Sequence, residues 1–337
     1  MSKTVPVRVV EVHTDGGFDW GDAAVGAATV VAVAAIGAGA FLARRHVLTC
    51  LLGIALVVAT AGAAQAKQAP GEWGPVASVP FNVPDAQDGC PIESPDGRSL
   101  YFASTRTGGQ GGIDIWAAHR DSKDAPWGVP ENLPAPINSV SDDFCPTPTR
   151  GGRLFFVSRR TIPGACGMGD IYLTRLNPAT GWEDLRHLAC REDGGPNTGL
   201  DEQGPSYVRT GGPSLYYSSG PDIYVSERHG DGSFGPGSPV EELNSSSMDI
   251  QPNVRRDGRE VVFASNRLGT LGGQDIWVST RKGPNDSWST PVNLGGSVNT
   301  TAGETRPSFS WDAETLYFGR APGAPSTADI WFTTRDR

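Results

Sequence analysis

The sequence predicts an all-β protein, a five-bladed β-propeller of four-stranded blades. A strand at residues 72–80 completes the last blade, and apolar helices precede the propeller. Three observations carry this reading: a turn-rich, aromatic-rich composition, five copies of one four-part signature, and a phase mismatch between the first copy and the last.

The 337 residues include 44 Gly and 27 Pro, together about a fifth of the chain, against nine Trp, seven Tyr and twelve Phe. That is too little Gly and Pro for a disordered or collagenous chain and enough aromatic surface for a substantial core. With three Met and 19% charged residues, a coiled coil or helical array is excluded. The net charge of −9 is carried entirely by residues after 66. Such a surface repels phosphate backbones, so nucleic acid is not an expected partner.

Residues 1–66 read as a membrane or export segment. Residues 23–43 carry no charge, and Arg44, Arg45 and His46 separate them from a second apolar run, 47–64, which ends in Ala64-Gln65-Ala66. Each run approaches the roughly 20 residues that span a bilayer. Basic residues, an apolar stretch and an Ala-x-Ala ending make a signal-peptide pattern. Two readings follow: a pair of transmembrane helices with the arginines on the cytoplasmic side, or a signal over 41–66 that is cleaved. Both make the membrane a partner of the N-terminal segment. Both place the domain 67–337 outside the cytoplasm, in the periplasm or at the cell surface, anchored or secreted.

From residue 72 onward four signatures recur in fixed order. An aromatic opens each unit: Trp73, Trp127, Trp182, Phe234 and Trp288. An Asn, an acid and a Pro follow: Asn82/Asp88/Pro91, Asn138/Asp143/Pro146, Asn197/Glu202/Pro205, Asn244/Asp249/Pro252 and Asn299/Glu304/Pro307. Then come an apolar triplet (Leu100-Tyr101-Phe102 in the first copy) and an Asp-Ile-aromatic (Asp114-Ile115-Trp116). The acids recur at intervals of 55, 59, 47 and 55 residues. Each unit reads as four short strands, and four-stranded units repeated about an axis form a propeller. Asp96-Gly97, Gly151-Gly152, Gly211-Gly212 and Asp257-Gly258 suit hairpin turns that need positive φ. The fifth copy, Asp312-Ala313, lacks the Gly and is expected to turn differently. The last unit ends after its third strand, while the Trp73 strand has no unit of its own. Pairing the two closes the ring and removes two exposed edges.

The run Ser94-Pro95-Asp96-Gly97 with Asp114-Ile115-Trp116, and Ser265-Asn266-Arg267 with Gly272-Gly273-Gln274-Asp275, resembles the repeat of TolB-like, WD-like propellers over residues 72–337. Five motif sets depart from the six blades common in that family. The resemblance implies an exported or envelope protein that binds partners, usually without catalysis.

Strand direction puts the Asn–acid loops, the Gly-rich loops and the blade connections on one rim, and the tight turns on the other. Asn82, Asp88, Asn138, Asp143, Asn197, Glu202, Asn244, Asp249, Asn299 and Glu304 therefore gather near the channel mouth, as a polar ligand ring or as caps on backbone N–H groups. Arg106, Arg159, Arg267 and Arg320 precede Asp114, Asp170, Asp275 and Asp329 by 8, 11, 8 and 9 residues and are expected to pair with them. Unit three has Ser218-Ser219-Gly220 instead, which leaves Asp222 without that partner.

Cys90, Cys145, Cys166 and Cys190 all map to the top rim of the first two blades. An even number in an oxidising compartment favours disulfides. Of three connectivities, topology favours Cys90–Cys145 with Cys166–Cys190. With no Cys-x-x-Cys and no nearby His in the sequence, no metal is expected, and no cofactor. The leading expectation is a non-catalytic extracytoplasmic scaffold that recognises a protein or a cell-envelope glycan on the loop-rich rim. The alternative is an arabinanase-like glycan hydrolase, a chemistry that needs two carboxylates flanking the scissile bond. Glu93, the only acid at its repeat position, with Asp88 beside it, is the candidate pair.

Overall fold

The computed structural model describes residues 71–321 and 328–336. The expected apolar helices and signal-like ending fall outside these residues. Among the described residues no helix is long and apolar enough to cross a membrane.

Among the described residues, twenty strands form five antiparallel four-stranded sheets. Blade one contains β2 (Asp88–Glu93), β3 (Ser99–Ser104), β4 (Asp114–His119) and β5 (Glu131–Asn132). Blade two contains β6 (Asp143–Thr149), β7 (Arg153–Ser158), β8 (Asp170–Asn177) and β9 (Gly181–His187). Blade three contains β10 (Glu202–Val208), β11 (Ser214–Ser219), β12 (Asp222–Glu227) and β13 (Ser238–Pro239). Blade four contains β14 (Asp249–Val254), β15 (Glu260–Ser265), β16 (Asp275–Thr280) and β17 (Val292–Asn293). Blade five contains β18 (Gly303–Phe309), β19 (Thr315–Ala321) and β20 (Asp329–Thr334), and its outer strand is β1 (Ala77–Ser78). The pairs Ala77↔Phe332 and Ser78↔Trp331, with a bridge from Trp73 to Arg335, close the ring as the phase mismatch predicts.

The apolar triplets lie on the second strand of each blade, which neighbouring blades cover on both faces. Such a strand is apolar at successive positions instead of alternating. Phe102, Phe156, Phe263 and Phe318 are fully buried, each contributing about 1.5–3 kcal/mol relative to exposure. The core sits between blades: Tyr216 and Ile223 of blade three pack with Val261, Phe263 and Trp277 of blade four.

The repeated Asn stitches the blades together. Asn138 Oδ1 accepts from Ile115 N at 2.8 Å while its Nδ2 donates to Ile115 O at 2.8 Å. Asn82, Asn197, Asn244 and Asn299 hold Ile330, Ile171, Ile223 and Ile276 in the same way. An amide carries a donor and an acceptor on separate atoms, so it satisfies a backbone N–H and C=O at once.

Each inner strand carries a bulge just before the repeated Pro, where pairing skips two residues. Proline has no N–H for the ladder, and the residue before it takes positive φ: Cys90 49°, Cys145 48°, Gly204 56°, Gln251 56° and Arg306 53°. The bulges turn these five residues into the axial channel, where they line a cavity of about 30 Å³. That volume holds about one water.

The fifth hairpin corrects an expectation. Ala313 adopts φ 60° and forms the same turn as Gly97. Ala313 N donates to Ser310 O as Gly97 N donates to Ser94 O, and the Ser310 and Asp312 side chains repeat the bonds of Ser94 and Asp96. Burial of the Ala313 methyl against the blade-five core offsets the cost of positive φ, of order 1 kcal/mol.

Candidate functional site

The top rim is built on five buried acids, Asp88, Asp143, Glu202, Asp249 and Glu304, all fully inaccessible. Their carboxylates turn into the blades instead of the channel. Asp143 Oδ2 accepts from Ser139 N, Asp249 Oδ2 from Ser245 N, Glu202 Oε2 from Thr198 N and Glu304 Oε2 from Thr300 N. With the five asparagines engaged by backbone, the expected ligand ring at the channel mouth is corrected. Ten side chains of that ring are occupied in holding blades together, and the cavity behind them is too small for a sugar.

The arginines correct the expected pairing. Arg106 donates to both oxygens of Asp88 at 2.9 Å, not to Asp114. Arg267 pairs with Asp249 instead of Asp275, and Arg320 with Glu304 (2.7 Å) instead of Asp329. In blade two Arg160 takes this position on Asp143 at 2.6 Å, while Arg159 joins Asp142 and Asp201 and leaves Asp170. The reason is packing. Each guanidinium lies over two aromatics of its own blade, as Arg267 does over Phe263 (5.0 Å) and Trp277 (5.3 Å), and so faces the head of the inner strand. The strand-three acids take loop N–H groups instead: Asp275 accepts from Leu271 N at 2.7 Å and Asn293 Nδ2 at 2.7 Å.

Blade three departs from this plan. Among the described residues no arginine reaches Glu202. Its carboxyl is held by hydroxyls, Thr198 Oγ1 at 2.6 Å and Ser219 Oγ at 2.8 Å. Tyr217 and Tyr224 stack with centroids 6.0 Å apart, as Phe156 and Tyr172 do in blade two, but among the described residues no guanidinium lies over them. Burial without a compensating cation pushes the Glu202 carboxyl up to about 7, with the Asp170 charge adding to the effect. Burial raises Asp143 as well, but there Arg160 opposes it. The Thr198–Leu200 turn that clasps Glu202 is covered in turn by the blade-two loop. Met168 N donates to Leu200 O, and any side chain at Gly167 would collide with the carbonyls of Thr198 and Leu200. The surface above presents Met168 and Leu200 to solvent.

Glu93 and Asp88 occupy opposite ends of β2, roughly 15 Å apart at the rise of a strand. Glycosidase carboxylates lie within about 5–9.5 Å of each other, so the two do not form a catalytic pair. Asp88 is locked to Arg106, and Glu93 is bound by Arg120 at 2.9 Å and Tyr317 at 3.2 Å under the blade-one hairpin. Burial raises Glu93, and Arg120 opposes the shift.

The disulfides are Cys90–Cys145, across the channel between blades one and two, and Cys166–Cys190, on the blade-two rim. His187, three residues before Cys190 in the sequence, corrects the expectation of no nearby His, and topology brings it to Cys166 and Asp170. Its Nε2 lies 2.8 Å from Asp170 Oδ2 and 3.7 Å from Cys166 Sγ. Cys166, Asp170 and His187 thus place three ligand-type atoms within 4.8 Å of one another. The signals for both missed features were present: a serine run in the arginine position, assigned to Asp222 instead of Glu202, and a His in an Asn position.

No protein-family model matches the chain, and no curated protein is similar to it in sequence. Among solved structures, a thermostable family-43 glycoside hydrolase is similar at TM-score 0.50 and 14% identity, over 77% of this chain and 92% of that one. Xylan β-1,4-xylosidase from Bacillus halodurans C-125 is similar at TM-score 0.50 and 14% identity, over 75% of this chain and 54% of that one. At such identity the likeness establishes the propeller fold. It also corrects the expectation of a non-catalytic scaffold where that rested on the fold, since structures of like fold are glycoside hydrolases.

Proposed function

We propose that the chain is a glycoside hydrolase acting on a glycan outside the cytoplasm, with Glu202 as its proton donor. One observation carries the assignment: Glu202 is the rim acid held by two hydroxyls and a backbone N–H, with no arginine on it among the described residues, and burial pushes its carboxyl up to about 7. In hydrolysis water adds to the anomeric carbon while the glycosidic oxygen takes a proton and leaves as an alcohol, and a carboxyl desolvated without a cation supplies that proton at neutral pH. The other four rim acids are each paired with an arginine. Glu202 is buried beneath the Gly167 loop, so on this reading a sugar reaches it only when that loop moves off the Thr198–Leu200 turn, beside the exposed Met168 and Leu200. The two disulfides suit an oxidising compartment.

The test is turnover on a panel of plant and cell-envelope glycans, including xylan and arabinan, by wild type and Glu202→Gln. The amide keeps bonding to Thr198 and Ser219 but donates no proton to a leaving group. A loss of at least 100-fold in kcat is expected, with wild-type activity falling as pH rises through about 7. Equal turnover by the variant would overturn the assignment.

A further inference from the structure

Blades one, two and four share one arrangement around the acid that opens the third strand. In blade one, Gln110 N and Asn132 Nδ2 donate to Asp114; in blade four, Leu271 N and Asn293 Nδ2 donate to Asp275. The register identifies the equivalents in blade two. Tyr172↔His187 stands where Trp116↔Asn132 and Trp277↔Asn293 stand, and Cys166 N donates to Asp170 at 2.8 Å where Gln110 and Leu271 do. An amide has become an imidazole and the loop residue a cysteine. Cys190 adds a second sulfur, bonded to the first. Three departures peculiar to blade two therefore converge on one carboxylate. That carboxylate is 2% exposed, and its Oδ1 has no hydrogen-bond partner among the described residues.

We propose that reduction of the Cys166–Cys190 disulfide uncovers a site for a thiophilic divalent cation of the zinc type, bound by both thiolates, His187 Nε2 and Asp170. The donor set, two sulfurs, one imidazole and one carboxylate, is that of a four-coordinate zinc site. Zinc bonds of about 2.3 Å to sulfur and 2.0–2.1 Å to nitrogen, at a tetrahedral angle, set a sulfur–nitrogen edge of about 3.6 Å. Cys166 Sγ and His187 Nε2 already lie 3.7 Å apart. The Nε2–Oδ2 separation, 2.8 Å, opens to about 3.4 Å on the same bond lengths. Once the bond between them is broken, the two sulfurs would sit about 3.8 Å apart on the same bond lengths.

The step balances with a dithiol as reductant. Thiol–disulfide exchange breaks the Cys166–Cys190 bond, delivers two electrons and two protons to its sulfurs, and leaves the reductant as a disulfide. The cation then displaces both thiol protons into solvent, and His187 binds through Nε2 with its proton on Nδ1. Exposure makes the step selective. Cys166 and Cys190 are partly exposed on the rim, whereas Cys90 and Cys145 are buried in the channel. The proposal is independent of the hydrolase assignment, because its readout needs no substrate.

The experiment is a Co(II) titration of the folded chain before and after mild dithiol reduction, with the reductant removed under anaerobic conditions. The reduced protein is expected to bind one equivalent, with thiolate-to-cobalt charge-transfer absorption, and the oxidised protein none. Peptide mapping of alkylated thiols should find Cys166 and Cys190 labelled and Cys90 and Cys145 protected. His187→Asn reproduces the amide of blades one and four, so it keeps the local bond to Asp170 while removing a ligand. At least tenfold weaker binding is expected. Cys190→Ser gives an independent reading through diminished charge-transfer intensity. Absence of that absorption in the reduced wild type, or unchanged affinity in His187→Asn, would overturn the site.

Discussion

Replacing Glu202 by Gln tests the central electrostatic claim through stability alone. The unfolded carboxyl titrates near its ordinary 4.5 and the folded one near 7. Between these values the folded protein holds a proton that the unfolded chain has released, so stability falls as pH rises through that window. Below it the carboxyl is neutral in both states, and above it the full loss is present. A displacement from 4.5 to about 7 corresponds to about 3 kcal/mol at 1.36 kcal/mol per pH unit. The amide is neutral at every pH and keeps the hydroxyl partners, so Glu202→Gln escapes this loss. Urea unfolding at pH 5 and pH 8, followed by tryptophan fluorescence, gives the two stabilities of each protein. The variant should gain about 2–3 kcal/mol on the wild type between the two pH values. A stability difference that stays constant across that range would show that Glu202 ionises as an ordinary carboxyl, and the reasoning would fail.

Arg267→Met removes the cation from fully buried Asp249 while filling most of its volume. It should lower unfolding stability by about 3–5 kcal/mol, because a buried charge is left with serine partners only. A loss under 1 kcal/mol in the same urea assay would contradict the role given to the rim arginines. Gly204→Ala places a Cβ 2.6 Å from Gln251 Cα at a position with φ 56°. It should lower the thermal midpoint by several degrees, of order 1–3 kcal/mol, and an unchanged midpoint would show that the axial bulges yield freely.

Much of this protein was legible in the chain because a propeller repeats its local chemistry. The Asn–acid–Pro order, the apolar triplets and the Asp-Ile-aromatic each recur five times, since every blade must solve the same problems of joining, burial and bulging. Blade number, ring closure through residues 77–78 and both disulfide pairings follow from counting these copies. What the order of residues left open was decided by side chains crossing between strands. Arg106 and Arg267 stand nearer in sequence to Asp114 and Asp275, yet the aromatics beneath them direct each guanidinium to Asp88 and Asp249. The same crossing isolates Glu202 and delivers His187 to Cys166 over 21 residues of chain. Periodicity specifies the backbone frame, because backbone pairing is local and identical in every copy. Charge partners are chosen by burial and distance in three dimensions, and these exist only once the ring has closed.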